Sequence, residues 1–529
     1  MASLTGKASR GHGYVTIKRQ GGSTPGEPVE MLYASAALRR QQEGDLAGAL
    51  ELYLEAVAQG PGNALVLTMA ADALRNAGRF REAIPLFDRA LAIDAMMIAA
   101  WFGRALAYDS SGAADEAERD YHRVTELAPN SAPGYAGLAS MQALHGRLDD
   151  ARANAARAAA LAPRDGSTII AQARCDLLAG EIAAAADRLE ALVARQDLPA
   201  QDHILALTLL GQARERSRDY AAAFDVFTRA KRVFAEAHAG PNAPPVARQL
   251  AESIATTVAA LGSMKHAHWP AGRARVRRHI FLLGYPRSGT TLVEQVLGTI
   301  DGVSTLEEEP TLALAAALHL TPEGLRQLPT LSEVEVDRLR TDYWDRVEAS
   351  GVELGETFVD MDPFKAPSLP LIARLFPDAK VVVMCRDPRD VVWSCFRQSF
   401  AYSQVTYEFG TLDRAARHYD ATMRLIRQCL ETFAIDAHEL HYEALVRDFD
   451  ATTQALCAFL GLPWSDKLRG FSDRARSSRV KTASAVQVRQ PLYDGSGQWR
   501  HYADQLTPIL PLLEPWLPPE SFTATKVLT

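Results

Sequence analysis

Two patterns of apolar and polar positions divide the chain. From about residue 30 to 240 the sequence is alanine-rich and repetitive. Gly44, Gly78, Gly112, Gly146 and Gly180 stand 34 residues apart, and five residues after each comes Ala49, Ala83, Ala117, Ala151 or Ala185. Pro61, Pro129 and Pro163 keep the same period, with Ala95 in the vacant slot. The spacing predicts a helix ended by glycine, a second helix whose alanine packs closely on the first, and a proline that closes the unit. "RDYAAAFDVFTRA", from Arg218, predicts a sixth unit after a longer gap, with Ala223 in the alanine slot. The pattern fades through residues 235–249, and a helical connector is expected to about Ala260. From Arg277 short apolar, β-branched runs alternate with helical stretches: "HIFLLGY", "ETFVDMD", "AKVVVMC" and "DAHELHY". Strands spaced by helices predict a mainly parallel α/β sheet.

A 34-residue period with small residues at fixed places resembles the tetratricopeptide family. The resemblance implies an N-terminal all-α solenoid. Its concave face would hold an acceptor peptide or protein, or the array would act as a scaffold or homodimer surface. The expected organisation is a flexible tail over 1–28, repeats and connector over 29–262, and an α/β domain over 263–529.

Composition narrows the class. At 529 residues more than one domain is expected. Hydrophobic content of 47% and charged content of 23% describe a globular protein. A net charge of -7 disfavours a general nucleic-acid partner. The five cysteines are scattered without a Cys-x-x-Cys pair, which argues against disulfides or structural zinc and predicts a reducing, cytoplasmic setting. The N-terminal stretch has no apolar core of leader length, and no run of 18 apolar residues occurs, so no membrane association is expected.

The chemistry lies in the second half. "FLLGYPRSGTTLVEQVL", residues 281–297, reads as strand, tight turn and helix, with Gly284 and Gly289 framing the turn. A helix N-terminus offers unpaired backbone N–H groups to an anion. Ser288, Thr290 and Thr291 add hydroxyls, and Arg287 adds a planar fork suited to phosphate or sulfate. A nucleotide triphosphatase would carry lysine after the second glycine, where Thr290 stands. No apolar strand ending on a magnesium-binding aspartate is evident. In "AKVVVMCRDPRDVVWSCFRQ" a second strand–turn–helix places Arg386 at the strand end, Ser394 eight residues on and Arg397 one turn further. Two anion sites on one sheet suit a nucleotide phosphorylated at both ends.

These residues resemble the sulfotransferase superfamily, closest to the branch holding protein-tyrosine sulfotransferases and bacterial enzymes fused to tetratricopeptide repeats. The resemblance implies a P-loop-like, parallel-sheet α/β domain behind the solenoid. It implies 3′-phosphoadenosine 5′-phosphosulfate as donor and adenosine 3′,5′-bisphosphate as product. No metal is expected, because no His/Asp cluster stands at metal spacing and the transferred group carries less charge than a γ-phosphate. Pro286 to Thr291 would bind the 5′-phosphosulfate, and Arg386 with Ser394 the 3′-phosphate. Family spacing selects Glu308 in "STLEEEP" as catalytic base, although position alone does not separate it from Glu307 or Glu309. Tyr442 in "HYEALV" would lie near the adenine. In "KTASAVQVRQPLYDGSGQWRHY", Ser484 would contact the transferring group, with Arg489 and Tyr493 in the same covering segment. Residues 451–500 hold eight Lys/Arg against three Asp/Glu, a local basic excess that fits a segment closing over an anion.

Two positions depart from the family pattern. Gln498 precedes Trp499 where a basic residue is usual, with Arg500 as the substitute on the other side. Met361 stands where relatives carry a lysine, and Lys365, four residues on, is the replacement considered. The favoured acceptor is a tyrosine hydroxyl of a peptide or protein. Small-molecule, lipid and sugar hydroxyls are the enzymatic alternatives, and a non-catalytic repeat adaptor with a decayed nucleotide domain is the alternative of another class.

Overall fold

A computed structural model describes residues 3–5, 16–18, 28–60, 62–238, 246–265, 267, 269–477, 480 and 484–519. Of the segment read as a tail, only β1 (Ser3–Thr5) and β2 (Thr16–Lys18) and residue 28 are described, and the two strands pair antiparallel. The chain divides into two compact units, Met1–Ala194 and Arg195–Thr529.

The first unit is built from helix pairs. The leading helices are α1 (Val29–Gln42), α3 (Ala64–Asn76), α5 (Ile98–Ser110), α7 (Ala132–Leu144) and α9 (Gly166–Ala179). Each is followed by a partner: α2 (Leu46–Gln59), α4 (Phe80–Ile93), α6 (Ala114–Leu127), α8 (Leu148–Leu161) and α10 (Ile182–Val193). The five periodic glycines sit in the turns with φ between 75° and 84°, the left-handed region that glycine enters without steric cost. The alanines five residues on are buried: Ala49 is 2% exposed, and Ala83, Ala117, Ala151 and Ala185 are 0%. Any larger side chain there would push the paired helices apart. Pro61 lies outside the described residues.

The second unit opens with α11 (Ala200–Arg216), α12 (Tyr220–Ala237) and α13 (Val246–Leu261). The α11–α12 pair is the sixth unit anticipated from Arg218, and Ala223 is fully buried in it. Arg218 itself holds φ 60° in the turn, the conformation that the first five units give to glycine. Helical character continues to Leu261, while the break between compact units falls earlier, at Ala194, because α12 and α13 share an apolar core with the sheet.

Five parallel strands follow in the order β4-β5-β3-β6-β7: β3 (Arg278–Leu283), β4 (Val303–Glu307), β5 (Thr357–Met361), β6 (Lys380–Cys385) and β7 (Asp436–His441). Ile280 pairs with Val359 on one side of the central strand, and Phe281 with Val381 on the other. Both sheet faces are covered. Phe281, Leu283, Val381 and Val383 belong to one core; Ile280, Leu282, Val382 and Met384 belong to the opposite one. Burial on both faces explains why β3 and β6 read as continuous apolar runs. The edge strand β4 was not anticipated as a strand, since Val303-Ser-Thr-Leu-Glu is short, polar and only partly buried.

Candidate active site

Every strand of the sheet delivers a polar segment at its C-terminal end, where ligands of open parallel sheets are held. The glycine-framed turn follows β3, Glu308 follows β4, Asp362 follows β5, Arg386 follows β6 and Tyr442 follows β7. Three of the five gather around one cavity of about 260 Å³. Its walls include Arg287, Gly289, Arg386, Ser394, Arg397, Tyr442, Ser484, Tyr493 and Gln498.

The turn after β3 is built from the strand outward. Tyr285 is buried, and its hydroxyl bonds His418 Nδ1 at 2.8 Å, fixing the start of the turn. Arg287 holds φ 71° and Gly289 φ 110°; an added Cβ on Gly289 would stand 3.0 Å from the Tyr442 ring. Only glycine satisfies both the conformation and that approach. The helix α14 (Thr290–Leu297) starts directly after it, with Ser288, Thr290 and Thr291 nearly fully buried beneath the cavity. The Oγ of Ser288 is buried without a hydrogen-bond partner.

Arg287 turns into the cavity. Its Nε donates to Ser394 Oγ at 3.0 Å, one terminal nitrogen to Ser484 Oγ at 2.6 Å and the other to Gln487 Oε1 at 2.7 Å. Burial pushes its pKa down to about 10, and the neighbouring guanidiniums of Arg386 and Arg397 push the same way. It is a desolvated cation among neutral hydroxyls and other cations, an environment that favours an anion.

Arg386 stands over the Tyr442 ring, 4.3 Å from its centre. It donates to Arg287 O at 3.0 Å and to Gly495 O at 2.8 Å, and its buried Nε has no partner. The helix Pro388–Arg397 begins beside it, with the Asp387 side chain accepting from Arg389 N at 2.9 Å. Arg397 Nη1 donates to both carboxylate oxygens of Glu215, at 3.1 and 2.9 Å.

The C-terminal segment is tied down by backbone bonds. Gly497 N and Trp499 N donate to the Asp390 carboxylate at 2.6 and 2.9 Å, and Tyr442 OH lies 3.4 Å from Tyr493 O. Trp499 packs under Arg389, 3.8 Å from ring centre. Gln498 lines the cavity, whereas Arg500 is exposed and outside its lining. Arg489 also lies outside the lining, because its Nε donates to Ala475 O at 3.2 Å. Part of the basic excess, at 478, 479 and 481–483, lies outside the described residues.

Glu308 is half-buried, holds φ 50° and donates its N–H to Met361 O at 2.7 Å. It does not line the cavity. Arg287 and Glu308 are two of the three non-glycine residues with positive φ among the described residues, and such conformations persist where the surroundings enforce them. Glu307 ends β4 as a buried residue, while Glu309 is partly exposed beyond it. Met361 is fully buried, and Lys365 lies outside the cavity lining: its Nζ bonds the buried Asp360 carboxylate and, at 3.0 Å, Thr311 Oγ1. Asp360 also accepts from Tyr343 OH at 3.0 Å.

The strand β5 does end on acidic residues, which sequence reading overlooked. Asp360 is committed to Lys365, Thr311 and Tyr343, and Asp362 Oδ1 accepts from Phe364 N at 2.8 Å. Sequence reading also missed Gln487, Asp390 and Glu215, whose roles come from contacts across long chain separations. It likewise missed Cys385, Glu439 and His441, whose potential ligand atoms lie within 4.8 Å of one another outside the cavity lining.

Residues 279–466 match the Sulfotransferase family and residues 68–132 match the Tetratricopeptide repeat. The chain is 29% identical over 342 residues to a protein of Aquifex aeolicus, covering 62% of this chain and 43% of that one. It is 28% identical over 232 residues to Protein-tyrosine sulfotransferase 1 of Danio rerio, covering 42% of this chain and 65% of that one. It is 26% identical over 207 residues to Protein-tyrosine sulfotransferase A of Caenorhabditis elegans, covering 37% and 53%. The chain thus spans less than two thirds of the length of each of these relatives.

Proposed function

We propose that this chain, a tetratricopeptide-repeat protein carrying a sulfotransferase-family domain, moves a sulfuryl group from 3′-phosphoadenosine 5′-phosphosulfate to an acceptor hydroxyl. The observation that carries the reading is the cavity itself. Its cations Arg287 and Arg386 come from two strand–turn–helix motifs yet meet at one place, with the unpartnered Ser288 Oγ and Arg386 Nε beside them. Both are donors that a ligand rich in acceptor oxygens would satisfy.

When bound, the donor supplies an activated sulfuryl group and a nucleotide leaving group; the protein supplies position and charge. The α14 N-terminus, Arg287 and Ser484 stabilise negative charge that develops on the leaving side. Arg386 and Ser394 hold the 3′-phosphate, and Tyr442 with Tyr493 flanks the nucleoside. Gln487 fixes Arg287 from the covering segment. Glu308 takes the acceptor proton as general base. Thr290, Thr291 and Arg397 complete the anion-binding wall. Arg489 serves the covering segment through its backbone contacts rather than through the cavity.

Similarity to two protein-tyrosine sulfotransferases supports a tyrosine hydroxyl of a peptide or protein as acceptor. The repeats support a peptide partner held by the first unit. All five cysteines are unpaired thiols, which supports a reducing, cytoplasmic setting. No helix among the described residues is long and apolar enough to cross a membrane.

A transfer assay with sulfur-labelled donor tests the reading. Label is expected on tyrosine-containing peptides and not on their phenylalanine counterparts. Transfer only to a sugar, lipid or small-molecule hydroxyl would move the acceptor class, and no transfer to any hydroxyl would overturn the activity.

A further inference from the structure

The cavity wall formed by the helix Pro388–Arg397 is gripped from behind by α11 and α12. Glu215, one residue from the end of α11, accepts from Arg397 Nη1 through both oxygens and from Tyr502 OH at 2.7 Å. Tyr502 is 1% exposed, and its ring lies 3.7 Å from that of Trp393, which lines the cavity. On α12, Tyr220 stacks on His501 at 4.1 Å, and Lys231 Nζ donates to Gln398 O at 2.8 Å. These contacts reach the cavity wall at Arg397, the end of its helix, and through Tyr502 at Trp393.

A carboxylate stands beside this cationic wall. Arg386 and Arg397 both disfavour the charged form of Arg287. Glu215 is 16% exposed and is the carboxylate paired with Arg397. It engages one nitrogen of the fork, and among the described residues the Arg397 guanidinium makes no other hydrogen bond. The pair therefore fixes the position of Arg397 while leaving two of its nitrogens for an anion. Glu215 lies outside both regions that match known families, residues 68–132 and 279–466.

We propose that Glu215 is a positioning residue of the donor site, and that the sixth helix pair of the repeat pattern is a structural part of the catalytic unit. The proposal rests on the reading of the cavity as the site of a nucleotide phosphorylated at both ends. The pair would set discrimination between nucleotides with and without a 3′-phosphate, because Arg397 stands one turn beyond Ser394.

The test is calorimetry on the full chain with adenosine 3′,5′-bisphosphate and with adenosine 5′-monophosphate. Glu215→Ala is expected to lose about tenfold in affinity for the bisphosphate and less than about twofold for the monophosphate. Arg397→Ala combined with Glu215→Ala is expected to bind no more weakly than Arg397→Ala alone, since one residue acts through the other. Should Glu215→Ala not fold, Tyr502→Phe keeps the ring on Trp393 and is expected to cost about threefold for the bisphosphate alone. Unchanged bisphosphate affinity, equal losses for both nucleotides, or additive effects in the double variant would overturn the role of Glu215. Failure of the wild-type chain to bind the bisphosphate would instead overturn the donor-site reading, and the role of Glu215 with it.

Discussion

Arg287 Nε donates to Ser394 Oγ at 3.0 Å, joining two strand–turn–helix motifs that lie 107 residues apart in the chain. The same guanidinium reaches Ser484 and Gln487, so one side chain links β3, the helix after β6 and the covering segment. Arg287→Lys keeps the charge and removes the fork. It is expected to weaken binding of adenosine 3′,5′-bisphosphate by about 10-fold or more, because a point charge replaces three directed donors. Unchanged affinity by calorimetry would show that the fork is not used.

Glu308→Gln is expected to retain product-nucleotide affinity and to lose about 10²–10⁴ in turnover, the usual contribution of a positioned base. Parallel substitution of Glu307 and Glu309 keeps the choice open to refutation. If Glu308→Gln turns over normally and one of the others does not, the base lies elsewhere in "EEE".

Gly289→Ala tests the turn. Alanine at φ 110° is strained, and its Cβ would press on the Tyr442 ring at 3.0 Å and on Met384 Cε at 3.2 Å. The expected cost is about 1–3 kcal/mol in urea unfolding, with donor-product binding reduced beyond detection. A variant that binds normally would mean that the turn is not held in this conformation during binding.

The fold was legible where local chemistry repeats or saturates. Gly44 to Gly180 announce the helix pairs because each turn needs positive φ, and Phe281 or Val382 announces a strand because both sheet faces are buried. The edge strand β4 was hidden, since a polar strand with partial burial has no clear period. The residues of the cavity wall were legible because glycine, arginine and hydroxyls cluster within short motifs. Glu215, Gln487 and Asp390 were not, since their roles arise from contacts over 182, 200 and 107 positions that no local pattern encodes. Lys365 shows the converse: sequence proximity to Met361 suggested a reach toward the cavity, whereas in the fold its Nζ is paired with the buried Asp360.

Lys231 predicts a pH signature. It is half-buried with its Nζ donating to Gln398 O, and desolvation of that amine lowers its pKa to about 8 from the usual value of 10.5. Between those values the unfolded chain holds a proton that the folded chain lacks, so this group makes stability rise with pH from about 8 to about 10.5. Buried tyrosines and cysteines act oppositely, because burial raises their pKa. The difference between wild type and Lys231→Met isolates the lysine. It is expected to change by up to about 3 kcal/mol across this window in urea titrations. A pH-independent difference would contradict a desolvated amine.

The central claim is that the cavity takes a nucleotide phosphorylated at both ends rather than a triphosphate. Competition calorimetry with adenosine 3′,5′-bisphosphate and magnesium–ATP, on wild type and Arg386→Ala, tests it most directly. One bisphosphate per chain is predicted, bound at least about 100-fold more tightly than magnesium–ATP and weakened about 10–100-fold by Arg386→Ala. Equal or tighter binding of magnesium–ATP, or bisphosphate affinity indifferent to Arg386, would contradict it.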